Sequence, residues 1–124
     1  IDEYPILAIA ATVASGVTRM TGVAELRVKE TDRIAVVADG ITAAGGDVSY
    51  DEDSMTVRGG EIAGGISVDS QHDHRIAMSF LILGMISTAP ITVTGCATIN
   101  TSFPGFAALM NDCGAAFHDA DIPV

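Results

Sequence analysis

The fold of this chain is decided around the stretch Arg27-Val28-Lys29-Glu30-Thr31-Asp32-Arg33. Three of the six Lys and Arg residues of the chain lie within these seven positions. Burying such charges without partners costs on the order of several kcal/mol, so the stretch is not part of a core. Apolar residues then recur at helical spacing as far as Ile41. We therefore predict that a charged turn opens a helix here, capped by Thr31 or Asp32.

Two interpretations of this charged turn remain open. It can be a solvated helix start that carries surface ion pairs. It can also bind an anion, because the first backbone N–H groups of a helix lack helical partners and carry partial positive charge. A second polar cluster, Asp73-His74-Arg75, opens another apolar helix and favours the anion site.

The length and composition fit one small α/β domain with 124 residues, 48% hydrophobic content and 13 Gly. A net charge of −10 argues against a nucleic-acid partner or an anionic membrane. The chain has no apolar run of about 18 residues and no signal peptide, so we expect a cytoplasmic protein. We expect Cys96 and Cys113 to be reduced thiols. The abrupt start at Ile1-Asp2, just ahead of a helix, suggests a piece of a longer chain.

Periodicity and turn residues predict alternating helices and strands. The predicted helices cover residues 2–15, 31–44, 76–87 and 103–113. The predicted strands cover residues 17–21, 47–50, 54–57, 66–68, 91–94 and 116–118. The first helix lacks a polar face, so we expect it to be buried on most sides. The Gly pairs between residues 59 and 65 are interpreted as turns, because they lack the ending of a phosphate-binding loop.

The same order of elements occurs twice, with a period of about 70 residues. Asp2 and Asp73 occupy equivalent positions, each at the start of a buried helix. The repeat predicts two similar units, about 1–60 and about 64–124, that pack side by side with equivalent helix starts on one face. Such packing would bring Arg33 and Arg75 together.

These helix starts carry the residue types that an anionic substrate and acid–base chemistry require. Arg33 and Arg75 offer forked, permanently charged donors, and Lys29 adds a point charge. The groups that could transfer protons are Asp2, Glu30, Asp73 and His74.

Other polar residues have simpler interpretations. Asp2 could be only a helix cap. His72 and His74 alternate like strand ligands, but no third ligand is placed, so we expect no metal site. Ser102 lacks the Gly-x-Ser-x-Gly context of a nucleophile and fits a helix cap better.

Four segments stand out when they are taken together: Ile1-Asp2-Glu3-Tyr4-Pro5, Leu26 to Arg33, Asp73 to Phe80, and Thr101-Ser102-Phe103-Pro104. Their combination and spacing resemble the C-terminal part of the 5-enolpyruvylshikimate-3-phosphate synthase family, in its bacterial class II form. The related UDP-N-acetylglucosamine enolpyruvyl transferases share the implied fold but not the charged run, and they are the alternative family.

The resemblance implies an α/β (α+β) fold, the "inside-out" barrel of enolpyruvyl transferases, which is built from repeated βαβαββ units. The chain would cover about two units of one domain. The implied reaction belongs to the shikimate pathway of aromatic amino acid biosynthesis. It transfers the enolpyruvyl group of phosphoenolpyruvate to the 5-hydroxyl of shikimate-3-phosphate and releases phosphate, without a cofactor.

The resemblance also implies roles for individual residues. Asp2 would contact shikimate-3-phosphate and act as proton acceptor, and Lys29 would bind the same substrate. Glu30 would transfer a proton at the methylene carbon of phosphoenolpyruvate.

Phosphoenolpyruvate would be clamped by Arg33 and Arg75, with Asp73 and His74 beside it. One departure from many relatives is Asn100-Thr101-Ser102, where those proteins carry a Lys before the Phe-Pro pair. Further cationic contacts of the family lie in the N-terminal part of the enzyme, which we expect as the partner of this chain. The chain alone is therefore expected to be inactive, and a non-catalytic folded module is the second alternative.

Overall fold

The computed structural model describes residues 4–29, 32–95, 99 and 105–112. Its helices are α1 (Tyr4–Ala11), a 3₁₀ helix (Ala24–Val28), α2 (Arg33–Ala43), α3 (His74–Ile86) and α4 (Phe106–Asp112). Its strands are β1 (Val17–Thr21), β2 (Asp47–Tyr50), β3 (Ser54–Arg58), β4 (Ser67–Asp69) and β5 (Thr92–Thr94). The alternation of helices and strands is confirmed within these ranges. The strand predicted at 116–118 lies outside the described residues.

The strands form two small sheets. The first has the order β1-β3-β2 and is antiparallel, and β2 and β3 form the predicted hairpin. Its register places Met20 opposite Met55 and Val48 opposite Val57, so one face of this sheet is apolar. In the second sheet β4 and β5 are parallel, and α3 is the crossover between them.

Helices α1, α2 and α3 pack on one another and share the main core with the apolar face of the first sheet. The fully buried apolar side chains of the three helices that belong to this core include Ala8, Ile9, Ile34, Val37, Ile41, Ile76, Phe80 and Leu83. Gly40 makes the contact between α2 and α3 close, because a Cβ atom at this position would overlap the ring of Phe80. The close contact fixes how the two helices lie beside each other.

The prediction that the first helix is buried on most sides is confirmed except along one side. Leu7 is 49% exposed and Ala10 is exposed, whereas Ala8 and Ile9 are buried. The helix packs against α2, α3 and β3, which leaves its opposite side uncovered among the described residues. It has eight residues, and across the described ranges no helix has the length and apolar character needed to cross a bilayer.

Candidate functional site

The charged stretch ahead of α2 has an exposed part and a buried part. Arg27 Nη2 lies 3.2 Å from Asp32 Oδ2, and Lys29 Nζ lies 3.2 Å from Glu25 Oε1. Exposed pairs of this kind contribute about 0–1 kcal/mol each. The interpretation as surface ion pairs therefore holds for Arg27. It does not hold for Arg33, which is only 2% exposed.

Asp32 fixes the start of α2. Its Oδ1 accepts a hydrogen bond of 3.2 Å from the backbone N–H of Ala35, which is the geometry of an N-cap. One of the two caps predicted from the sequence is thereby confirmed, while Thr31 lies outside the described residues. Capping at Asp32 makes Arg33 the first residue of the helix.

Arg33 forms a two-pronged ion pair with Asp73. Its Nε donates to Oδ2 at 2.8 Å, and its Nη2 donates to Oδ1 at 3.2 Å. The Asp73 side chain is fully buried. Charged groups of a protein are buried at tolerable cost only when they are paired and hydrogen-bonded, as these two are. The pair joins the start of α2 to the residue that precedes α3.

The same Asp73 carboxylate caps α3. Oδ1 accepts from the backbone N–H of Arg75 at 3.0 Å and from that of Ile76 at 3.5 Å. One oxygen atom therefore serves the guanidinium of Arg33 and the first turn of α3 at once. The two helix starts lie side by side because they share this carboxylate.

A tight turn presents Asp73. Its backbone N–H donates to the carbonyl of Ser70 at 2.9 Å. Ser70 is fully buried, and its hydroxyl lies within 3.0 Å of the carbonyl oxygens of both Thr94 and Gly95. Between Ser70 and Asp73, the residues Gln71 and His72 adopt left-handed backbone angles, with φ of 53° and 61°. Two consecutive non-glycine residues in this region store backbone strain next to the candidate site.

The structure thus brings four of the predicted site residues to one place. Arg33 and Asp73 are in direct contact, and His74 and Arg75 form the first turn of α3 with half-buried side chains. Lys29 follows the 3₁₀ helix. Asp2 and Glu30 lie outside the described residues.

Two concavities are formed by the described residues, one beside Arg33 and one at the far end of α3, and neither suits an anionic substrate. A cavity bordered by Arg33, Tyr4 and Met55 measures about 10 Å³, which is roughly the space of one water molecule. An open groove of about 550 Å³ runs along the 59–62 loop, where Glu61 is the charged residue. The candidate site is therefore the surface at the two helix starts. Among the described residues no group of three His, Cys, Asp or Glu side chains could bind a metal.

The contact between Arg33 and Asp73 and the strained turn were not predicted from the sequence. The two charged helix starts were expected to lie on one face, but these two residues were not expected to pair. A pairing over 40 positions leaves no periodic signal, and Gln71 and His72 are not residues that mark left-handed backbone in the way that Gly does. The position of Asp73 directly before an apolar helix was the available signal for its capping role.

Comparison with known proteins supports the sequence-based interpretation. The family model of EPSP synthase (3-phosphoshikimate 1-carboxyvinyltransferase) matches residues 1–110. The 3-phosphoshikimate 1-carboxyvinyltransferase of Parvibaculum lavamentivorans is 55% identical over 119 residues, which cover 94% of this chain and 26% of that protein. The protein of the same name from Chelativorans sp. is 50% identical over 124 residues, covering 98% and 28%.

A solved EPSP synthase from Acinetobacter baumannii has the same architecture. It superposes with a TM-score of 0.87 at 48% identity and covers 92% of this chain and 27% of the solved chain. The fold class predicted from the sequence is thereby confirmed. The chain spans about a quarter of the length of the relatives that it matches.

Proposed function

Because the chain belongs to the EPSP synthase (3-phosphoshikimate 1-carboxyvinyltransferase) family, we propose that it supplies one part of the active site of an enolpyruvyl transferase. The reaction transfers the enolpyruvyl group of phosphoenolpyruvate to the 5-hydroxyl of shikimate-3-phosphate. The observation that carries this proposal is the junction of two helix starts around Arg33 and Asp73. The remaining part of the site belongs to the rest of a longer protein.

Arg33 and Arg75 bind phosphoenolpyruvate in this proposal, with Asp73 and His74 beside it. Guanidinium groups suit carboxylate and phosphate oxygens because their N–H donors form a planar fork. The pair with Asp73 uses the Nε–H and one Nη2–H of Arg33 and thereby sets the plane of the guanidinium group. The partial positive charge of two helix N-termini adds to the attraction for an anion.

The bond changes define what the carboxylates must do. The hydroxyl oxygen of shikimate-3-phosphate forms a bond to C2 of phosphoenolpyruvate, while C3 gains a proton. The resulting tetrahedral adduct then loses a proton from C3, and the bond between C2 and the phosphate oxygen breaks, which releases phosphate. Asp2 accepts the hydroxyl proton, Glu30 transfers the proton at C3, and Lys29 binds shikimate-3-phosphate.

The isolated chain is proposed to be inactive. Its net charge is −10, and its few cations must face a substrate pair that carries two phosphates and a carboxylate. Bringing those anions to such a chain is unfavourable unless further cations join the site. The rest of the longer protein is the proposed source of these cations.

A chimera tests the proposed function. In the P. lavamentivorans protein the matching segment is replaced by the present chain, and phosphate release from phosphoenolpyruvate is measured with and without shikimate-3-phosphate. We expect release that depends on both substrates. A chimera that folds cooperatively yet releases no phosphate would contradict the proposal. The isolated chain, mixed with the remaining part of that protein, repeats the test if the chimera does not fold. If this mixture does not release phosphate, the proposal is contradicted as well.

A further inference from the structure

We propose that Asp73 is a positioning residue, which acts on phosphoenolpyruvate only through Arg33 and does not contact the substrate. The inference rests on the proposed function and refines it. The two oxygens of the Asp73 carboxylate accept hydrogen bonds of 2.8–3.5 Å from Arg33 and from the first turn of α3.

These contacts fix the plane of the Arg33 guanidinium. A two-pronged pair restricts rotation about the last bonds of the arginine side chain, whereas one hydrogen bond would not. The other end of the pair is itself fixed, because Asp73 is tied to the backbone of α3 and to Ser70. The orientation of the Arg33 guanidinium group is therefore set by the start of α3.

Electrostatics argue against direct contact between Asp73 and the substrate. A buried carboxylate that faced an anionic substrate would repel it, since like charges in a poorly solvated site interact strongly. In the structure the carboxylate faces Arg33 instead, and the side chain is fully buried. Asp73 therefore contributes geometry rather than charge to the anion site.

The strained turn is consistent with this role. Gln71 and His72 hold left-handed angles, and the hydroxyl of Ser70 hydrogen-bonds to carbonyl oxygens at the end of β5, those of Thr94 and Gly95. Strain of this kind persists only where the surrounding structure holds the backbone in place. Here the turn places Asp73 both at the N-cap of α3 and within reach of Arg33.

A double-mutant cycle in the chimera tests the proposal. Asp73→Asn keeps an oxygen that can cap α3 but replaces the other oxygen with an NH₂ group, which cannot accept from Arg33. We expect kcat/KM for phosphoenolpyruvate to fall by roughly ten- to a hundredfold, while the affinity for shikimate-3-phosphate changes by less than about threefold. In an Arg33→Lys background the same substitution should have little further effect, because the orientation that it disrupts is already lost.

Asp32→Asn is the matched control. It also changes the N-cap of a helix, and Asn caps as well as Asp. The other contact of Asp32 is a half-buried pair with Arg27 near the surface. We expect it to leave the kinetics for phosphoenolpyruvate unchanged. Asp73→Ser, which retains a capping hydroxyl but removes the pair with Arg33, provides a second variant for the cycle.

The outcomes separate this inference from the proposed function. A folded parent chimera without activity overturns both. An active parent in which the effects of Asp73→Asn and Arg33→Lys are additive overturns the inference alone, because additivity means that Asp73 acts independently of Arg33. If neither Asp73 variant folds although both retain a cap, Asp73 serves stability alone and the inference is also overturned.

Discussion

Arg33 and Asp73 are 40 positions apart in the chain and form a buried pair with contacts of 2.8 and 3.2 Å. The pair joins the first residue of α2 to the N-cap of α3. Replacing both members of such a pair by apolar residues can be neutral for stability, whereas removing one partner costs roughly 3–5 kcal/mol. A contribution to protein stability therefore does not explain why this ion pair is present. Its position at the candidate site points to a functional role instead.

Arg33→Lys in the chimera should impair the use of phosphoenolpyruvate although the charge is kept. Lys cannot form a two-pronged contact, and a lost charged hydrogen bond costs about 1.5–3 kcal/mol. Steady-state kinetics with each substrate varied in turn provide the measurement. Arg58→Lys is the control, because Arg58 pairs with Asp47 in the exposed part of the hairpin. An unchanged kcat/KM for Arg33→Lys would rule out the clamp role.

Asp2→Asn in the chimera should lower kcat much more than it raises KM for shikimate-3-phosphate. Asn keeps the shape and one acceptor but cannot take the hydroxyl proton, so the expected loss in kcat is about 100-fold or more. Asp2→Ala should cost a further ~1 kcal/mol of stability if Asp2 also caps the first helix. Near-normal kcat with only weaker stability would make Asp2 a cap and nothing more.

Gly40→Ala should destabilise the protein even though Ala favours helices. The gain in helix propensity is about 1 kcal/mol, while overpacking against Phe80 costs roughly 1–3 kcal/mol and forces α2 away from α3. The urea midpoint of the chimera measures the balance. Gly84→Ala in α3 is the control, because its Cβ would meet Ile91 at 3.5 Å, an ordinary contact. Equal effects of the two substitutions would contradict the packing argument.

His72→Gly should be more stable than His72→Ala by about 1–2 kcal/mol, since φ at this position is 61° and only Gly adopts it without strain. The same two substitutions at the exposed Thr88 are the comparison. Thr88 is outside the set of residues with positive φ, so Ala should be the more stable variant there. If the Ala variant were the more stable one at both positions, the turn would not be strained.

The pKa of Asp51 is lowered, mainly because its carboxylate accepts a hydrogen bond from the backbone N–H of Asp53 and also interacts with the Ser54 hydroxyl. A carboxyl group with a lower pKa in the folded state stabilises that state above its ordinary pKa. This contribution is lost as pH falls through the lowered value. Asp51→Asn should therefore reduce the loss of stability between neutral pH and about pH 3. The urea midpoints of the parent and variant chimeras, measured across this pH range, test the prediction. Glu52→Gln is the control, because it removes the same charge from the same turn.

The local elements were predicted well because they depend on neighbouring residues. The hairpin around residues 51–53 follows from alternating side chains and an acidic turn, and the start of α2 follows from Asp32 ahead of an apolar period. The exposed side of α1 was not predicted, because its composition is apolar on every side. Which of those sides meets a neighbour depends on where α2 and α3 lie.

The sequence by itself determined the alternation of helices and strands, the two charged helix starts and the family. These features are written in local periodicity and in short motifs at fixed spacing. The tertiary structure alone decided that Arg33 turns inward to Asp73, while Arg27 stays in a half-buried pair near the surface. Both arginines look alike in the sequence, and the buried partner of Arg33 is supplied by a helix start 40 positions away. A charge is buried only where packing brings a partner to it, and no local pattern encodes that partner.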